Sequence, residues 1–222
     1  MPVLSPGLPV AAEPRADGHR RRHPHGEGWR LRDELLAAAE ALLIEAGDQQ
    51  AVSIRAVAKR VGVTPTAIYL HFASKDELVF AVCEQHLLEF DRVQQEESHR
   101  ASDPVEALRR RGRAYVSYGL EHPELYRILF MNRPTAVPDS WTAQGIMDSP
   151  PFVHLVEDVQ AGLDAGAIRP GDAATIAFDL WSAVHGITSI LLTHREFPWR
   201  DLEPLVDHLL DVQVRGVRSS PA

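Results

Sequence analysis

Thr66, Tyr69 and Leu70 fall on one stripe of a short helical run, because Ile68 and Phe72, four residues apart, claim the other side together with Val57 and Val61. Hydroxyls turned to solvent in this way suit a nucleic acid. They hydrogen-bond phosphate oxygens or base edges, and threonine methyls meet the thymine methyl. Thr64, at the start of the run, can bring a helix N-terminus towards a phosphate. Lys75 opens the following helix, where the local dipole disfavours a cation unless a phosphate lies near. Other chemistries find less support. No nucleophile motif or Gly-rich phosphate loop is present, and Glu96 with His99 forms a Glu-x-x-His spacing that lacks the matching pair of a helical-bundle metal site. His19, His23 and His25 lie in a stretch without the rigid surroundings that orient metal ligands. No catalytic residue, metal or cofactor is expected.

Three helix starts must hold these side chains in place. Ser53 can cap the first, with Val52 and Val57 at hydrophobic-staple spacing. Thr64 can cap the second, where Pro65 loses no hydrogen bond and Val63 and Ile68 repeat the staple. Ser74 and Glu77 form a capping box for the third. Gly62 supplies a left-handed stop between the first two helices, and the small Ala58 lets them cross closely. A helix-turn-helix whose second helix enters the major groove accounts for this pattern. The plainer alternative is a helical hairpin in a bundle core, which does not require the outward residues.

The run TPTAIYLHFASKDEL, with SIRAVAKRVGV before it, closely resembles the DNA-binding domain of the tetracycline-repressor-like (TetR) family of bacterial transcription regulators, over about residues 30–83. The resemblance implies DNA contacts from Ser53, Arg55, Thr64, Thr66, Tyr69, His71 and Lys75, with Tyr69, His71 and Lys75 on phosphates. Leu70 departs from the polar or aromatic residue often found there. WSAVHG at residues 181–186 and HPELYRILF from His122 resemble a C-terminal domain of one branch of the family, named for its Trp-His-Gly signature. An all-α homodimer is implied: a repressor on a palindromic operator in double-stranded DNA, released by a small hydrophobic effector.

The rest of the chain fits an all-α protein. Ala, Leu, Glu and Arg at helical spacing dominate, and no run alternates convincingly as a strand. The net charge of −8 is unevenly spread: residues 20–80 carry nine Lys or Arg against eight Asp or Glu, and residues 81–222 thirteen against twenty-one. The reading region is thus near neutral. Residues 1–28 read as a disordered extension whose basic cluster HRRRHPH is either an arm for phosphates or the minor groove, or a solvated tail. Residues 29–75 form the DNA-binding domain and 76–222 an effector-binding and dimerisation domain.

A first helix from about Arg30 buries Leu35, Ala39, Leu42, Leu43 and Ala46 and stops at Gly47. A long helix from Ser74 to about His99 follows, then one from Asp103. Residues 132–151 read as a loop or lid. Helices capped by Asp148 or Ser149, by Asp172 and by Asp201 complete the chain. Ile176, Leu180, Val184, Ile187 and Leu191, with Leu205, Leu209 and Val212, could form a four-helix dimer interface through the last two helices. Aromatic and sulfur side chains suggest an apolar effector pocket: Tyr115, Tyr126, Phe130, Met131, Trp141, Met147, Phe152, Phe178 and Trp181, beside His185. The bland reading of each is core packing. Trp181 and His185 are expected to be a packed pair with His185 bonded to backbone, and Gly186 to permit a close helix contact. Cys83 reads as a buried, inert thiol. No apolar run approaches the ~20 residues that cross a bilayer, so no membrane partner and a cytoplasmic location are expected. A helical-bundle enzyme and a DNA-binding architectural protein without effector are the alternatives.

Overall fold

The computed structural model describes residues 28–47, 52–131, 143–194 and 201–219, and these are all-α. The basic cluster at residues 19–25 and Trp141 lie outside the described residues.

The N-terminal head is built by α1 (Gly28–Ala46), α2 (Ile54–Val61), α3 (Pro65–Ile68) and the start of α4 (Lys75–His99). Helix α1 begins two residues before the expected Arg30. Leu35, Ala39 and Leu43 are buried as their spacing requires, and Leu36 and Ala38 join them. Leu42 is half-buried and Ala46, expected inside, is exposed. Gly47 ends the helix at φ +64°, its N–H on Leu43 O at 2.9 Å. Ser53 caps α2, accepting from Ala56 N–H at 3.2 Å. Gly62 closes it at φ +80°, with Ala58 O accepting from both Gly62 and Val63 N–H. Helix α3 is a single turn. The chain stays coiled to Phe72 because Ile68 O accepts from both His71 and Phe72 N–H. At α4, Ser74 Oγ accepts from Glu77 N–H at 3.0 Å, but the Glu77 carboxylate returns to Ala73 N–H at 2.5 Å, one residue short of a true capping box.

The head's core runs from Leu35 through Val52, Val57, Ile68 and Phe72 to Leu78, Val82 and Cys83 on α4. Burial pushes the Cys83 thiol up to about 12, which keeps it protonated and inert. Further along α4, Phe90 belongs to the core of the C-terminal body. One helix therefore carries both cores.

The body comprises α5 (Pro104–Glu121), α6 (Pro123–Tyr126) continuing as a π-helical turn (Arg127–Met131), α7 (Ala143–Met147), α8 (Pro150–Asp164), α9 (Ala173–Thr193) and α10 (Leu202–Val217). Asp103 caps α5 and Asp172 caps α9 through side-chain acceptors, as expected, whereas Ser149 and Asp201 make no capping side-chain bond. Within the stretch expected as a loop, residues 143–147 are helical and α8 already begins at Pro150. Its first described turns are tied by Ser149 Oγ donating to Ile146 O at 2.6 Å.

Helix α5 is central, packing against α4, α8, α9 and α10. Its two glycines make this possible. A Cβ on Gly112 would come within 2.6 Å of Leu210, and one on Gly119 within 2.5 Å of Thr188. Arg109 clamps α10 through Asp207 and Asp211 at 3.0 and 2.9 Å. Gly186, expected to serve a close helix contact, has nothing within 4 Å of its Cβ position.

Helix α9 departs from expectation in two further ways. It is long and apolar enough to cross a bilayer, with mean hydropathy 1.4 over an 18-residue window, contrary to the reading that no run comes close. Its stripe of Leu180, Val184 and Leu191, expected between two copies, is buried in the protomer's own cores, with Ile176 and Ile187 packed against them. Leu209 of α10 is likewise packed inward, while Val212 stays exposed. The side of α9 left open carries Phe178 and Ile190, 46% and 45% exposed, in line with Ser182 and Gly186.

Candidate functional site

Two features of the structure invite a ligand: the outer face of the head and a crevice in the body. On the head, Ser53, Arg55, Thr64 and Thr66 are exposed, and His71 and Lys75 are half-buried. Tyr69 is 54% and Leu70 82% exposed, the latter the most open large apolar side chain among the described residues. All lie on the helix-turn-helix segment that the buried Val57, Ile68 and Phe72 hold together, Tyr69, Leu70 and His71 just past the end of α3. Thr64 has cap-like backbone angles, φ −78° and ψ 149°, yet its hydroxyl makes no capping bond, contrary to expectation. Ser53 keeps a second role, since its cap function uses Oγ as an acceptor and leaves the O–H to donate. Beside them Arg60 is neutralised by Glu45 on α1 at 2.5 Å, and Arg32 lies 5.2 Å from the centre of the Phe72 ring.

The crevice opens between α4, α5, α8, α9 and α10 and has an open interior of about 50 Å³. Four of the expected residues line it: Tyr115, Phe130, Phe152 and Trp181. Leu87, Phe90, Leu108, Leu155, Leu180, Val184, Leu210 and Val214 complete a largely apolar wall. Tyr126 is buried behind it, Met147 packs into the neighbouring core, and Met131 and Phe178 stand on the surface. Polar groups on the wall are Gln94, Arg111, Ser149 and Gln213, none of them among the expected residues.

His185 does not line the crevice but buttresses it. Its ring stacks on Trp181, with centroids 5.2 Å apart, and its Nδ1 is hydrogen-bonded to Tyr126 Oη at 2.7 Å. The expected backbone bond is replaced by this network, which Tyr115 Oη joins at 3.0 Å from Tyr126 Oη. Burial holds the imidazole below its ordinary value and raises both phenols, so all three groups stay neutral.

A third set of residues links the two features. In the π-helical turn, Ile128 is fully buried in the head's core and Phe130 packs against the body's core and forms crevice wall, while Tyr126, at the end of α6, is buried in the body's core. Arg127 holds this turn to α9, donating to Leu192 O at 2.7 Å. His86 on α4 meets Glu40 on α1 at 3.2 Å.

Fold and sites together define a helical protein with a helix-turn-helix head joined to a body that holds a largely apolar crevice. Residues 35–82 match the family model of bacterial regulatory proteins of the tetR family, and residues 108–214 match that of the tetracyclin repressor-like C-terminal domain. The chain belongs to the TetR family of bacterial regulatory proteins, whose members are DNA-binding transcription regulators. It is 30% identical to the transcriptional activator FasR of Mycolicibacterium smegmatis over 119 residues, 53% of this chain and 52% of the relative, so it spans about half the length of that protein. A protein of unknown function from Rhodococcus sp. RHA1 shares the fold at a TM-score of 0.72 and 26% identity, over 93% of this chain and all of the other. FadR from Bacillus subtilis, solved with stearoyl-CoA, shares it at 0.69 and 17%, over 84% and 99%.

Proposed function

We propose that the protein binds a palindromic operator as a homodimer and represses transcription until a small, largely apolar ligand enters the crevice. Ser53, Arg55, Thr64, Thr66, Tyr69, His71 and Lys75 would make the DNA contacts. The observation that carries this reading is the π-helical turn, in which Phe130 faces the ligand space and Ile128, two residues earlier, sits in the core that sets the reading head. A ligand that displaces Phe130 would pull on Ile128 through the one turn that carries both, and Ile128 is close-packed in the head's core.

Dimerisation rests on the open side of α9. An apolar helix of which only a third is buried within its own chain has surface left to cover. The interface is therefore drawn through Phe178, Ser182, Gly186 and Ile190, with Val212 of α10, in place of the buried stripe read from spacing. Residues 29–75 act as reader and residues 76–222 as sensor and dimeriser, the division falling at the start of α4.

The decisive measurement is linkage. An operator is selected from random duplexes, and its affinity is measured with and without a ligand that the purified protein retains and mass spectrometry identifies. Operator must weaken ligand binding by the factor by which ligand weakens operator binding. Unchanged operator affinity at saturating ligand would refute the mechanism. The likeness to an activator supports activation as a second reading, which a reporter with and without the regulator separates.

A further inference from the structure

Arg111 lies mid-way along α5 and is 2% exposed, an unusual place for a cation. Two of its three nitrogens are used: Nε donates to Asp158 Oδ2 at 2.6 Å and Nη2 to Gln95 Oε1 at 3.0 Å. Ser98 Oγ also donates to Asp158 Oδ2, at 2.6 Å. Nη1 is fully buried and has no hydrogen-bond partner among the described residues. The side chain to which it belongs is part of the crevice wall. Of the other polar groups on that wall, Gln94 Nε2 is engaged on Phe90 O, Ser149 Oγ on Ile146 O and Tyr115 Oη on Tyr126. A buried donor without an acceptor is costly, and a bound acceptor would satisfy it.

We propose that the crevice takes an uncharged, largely apolar molecule bearing a carbonyl oxygen, and that a small shift of the Arg111 side chain, whose Nη1 no void reaches in this structure, brings Nη1 to donate to that oxygen. Charge selects the carbonyl over a carboxylate. Asp158 already balances the guanidinium at contact distance, so a carboxylate would leave a net negative charge in an apolar wall, which is strongly unfavourable. A ketone, ester or thioester oxygen satisfies the donor without that penalty. The apolar residues around it accept the remainder of the molecule.

The inference rests on the ligand-binding reading of the crevice, and three probes of equal chain length separate the two: octane, 2-octanone and octanoate. Binding of each to the full chain is measured by calorimetry at neutral pH. On the unaltered protein, 2-octanone binds about tenfold tighter than octane, the usual worth of one well-placed bond to a charged group, and also tighter than octanoate, which carries the charge penalty. The double variant Arg111→Met, Asp158→Asn removes the donor and its counter-charge together, with its fold checked by thermal unfolding. It loses about tenfold for 2-octanone and keeps octane within about twofold. Octanoate binding tighter than 2-octanone to the unaltered protein overturns the inference, and so does equal loss of octane and 2-octanone in the variant. If none of the three binds, the crevice is no site for such ligands and the ligand-binding reading falls with it.

Discussion

Tyr69 is the residue on which the DNA reading is most exposed to test. A half-open phenol beside Thr66 can turn its hydroxyl to phosphate. Tyr69→Ala and Lys75→Ala are expected to weaken operator binding across sequences, and Lys75→Ala to lower the salt slope by about one ion. Titration of labelled duplex at several salt concentrations reads both, and unchanged affinity in the two variants would remove this face from the contact surface. A second prediction concerns His185. Burial depresses its protonation, and burial also outweighs the pull of Glu40 on His86. Both imidazoles then bind fewer protons in the native than in the unfolded state, so stability is full above the ordinary histidine value of about 6.5 and is lost as pH falls below it. The unfolding midpoint should drop between pH 7.5 and 5.5, and His185→Gln should make that drop shallower. Legibility at this scale was uneven. The outward residues of the head followed from Ile68 and Phe72. Arg111 did not stand out because it sits in the run Arg109, Arg110, Arg111, although its place three residues after Leu108 and four before Tyr115 puts it on the buried stripe.

At the level of elements, caps were the most readable feature because their chemistry is local. Ser53, Ser74, Asp103 and Asp172 each accept from a backbone N–H two or three residues on. The partition of faces was less readable. Helix α9 is apolar nearly all round, so its hydrophobic spacing could not say which side meets α5 and which is left for another chain. Partners set that choice, and the glycines of α5 record it. Gly112 and Gly119 admit Leu210 and Thr188, whereas Gly186, the more conspicuous residue in its motif, admits nothing within the protomer. Gly62 tests the turn itself. Its Cβ position is open to 4 Å, so Gly62→Ala meets no clash and its cost is that of a left-handed backbone, about 1 kcal/mol, with Gly62→Asn costing less. Chemical denaturation measures the difference, and an alanine variant as stable as the parent would show that the turn relaxes to another geometry.

For the whole molecule, the question is how a near-neutral reading region in a chain of net charge −8 binds DNA selectively. One head offers few cations, and Arg60 is already paired with Glu45, so phosphate attraction alone is weak. Two heads held about 34–36 Å apart, one turn of DNA, would multiply modest contacts without new charge. Affinity then depends on the interface as much as on the reading residues. Gly186→Leu and Ile190→Glu place bulk and charge on the open side of α9, away from the crevice wall and from both cores. Each should leave the fold and ligand binding intact, shift sedimentation towards the monomer, and weaken operator binding by about 100-fold, as loss of bivalent engagement does. A dimer that survives both changes would move the interface elsewhere. A monomer that still binds full operator with parental affinity would show that a single head suffices, and that a ligand in the crevice must act within one chain, through Phe130 and Ile128, rather than by changing the spacing between two.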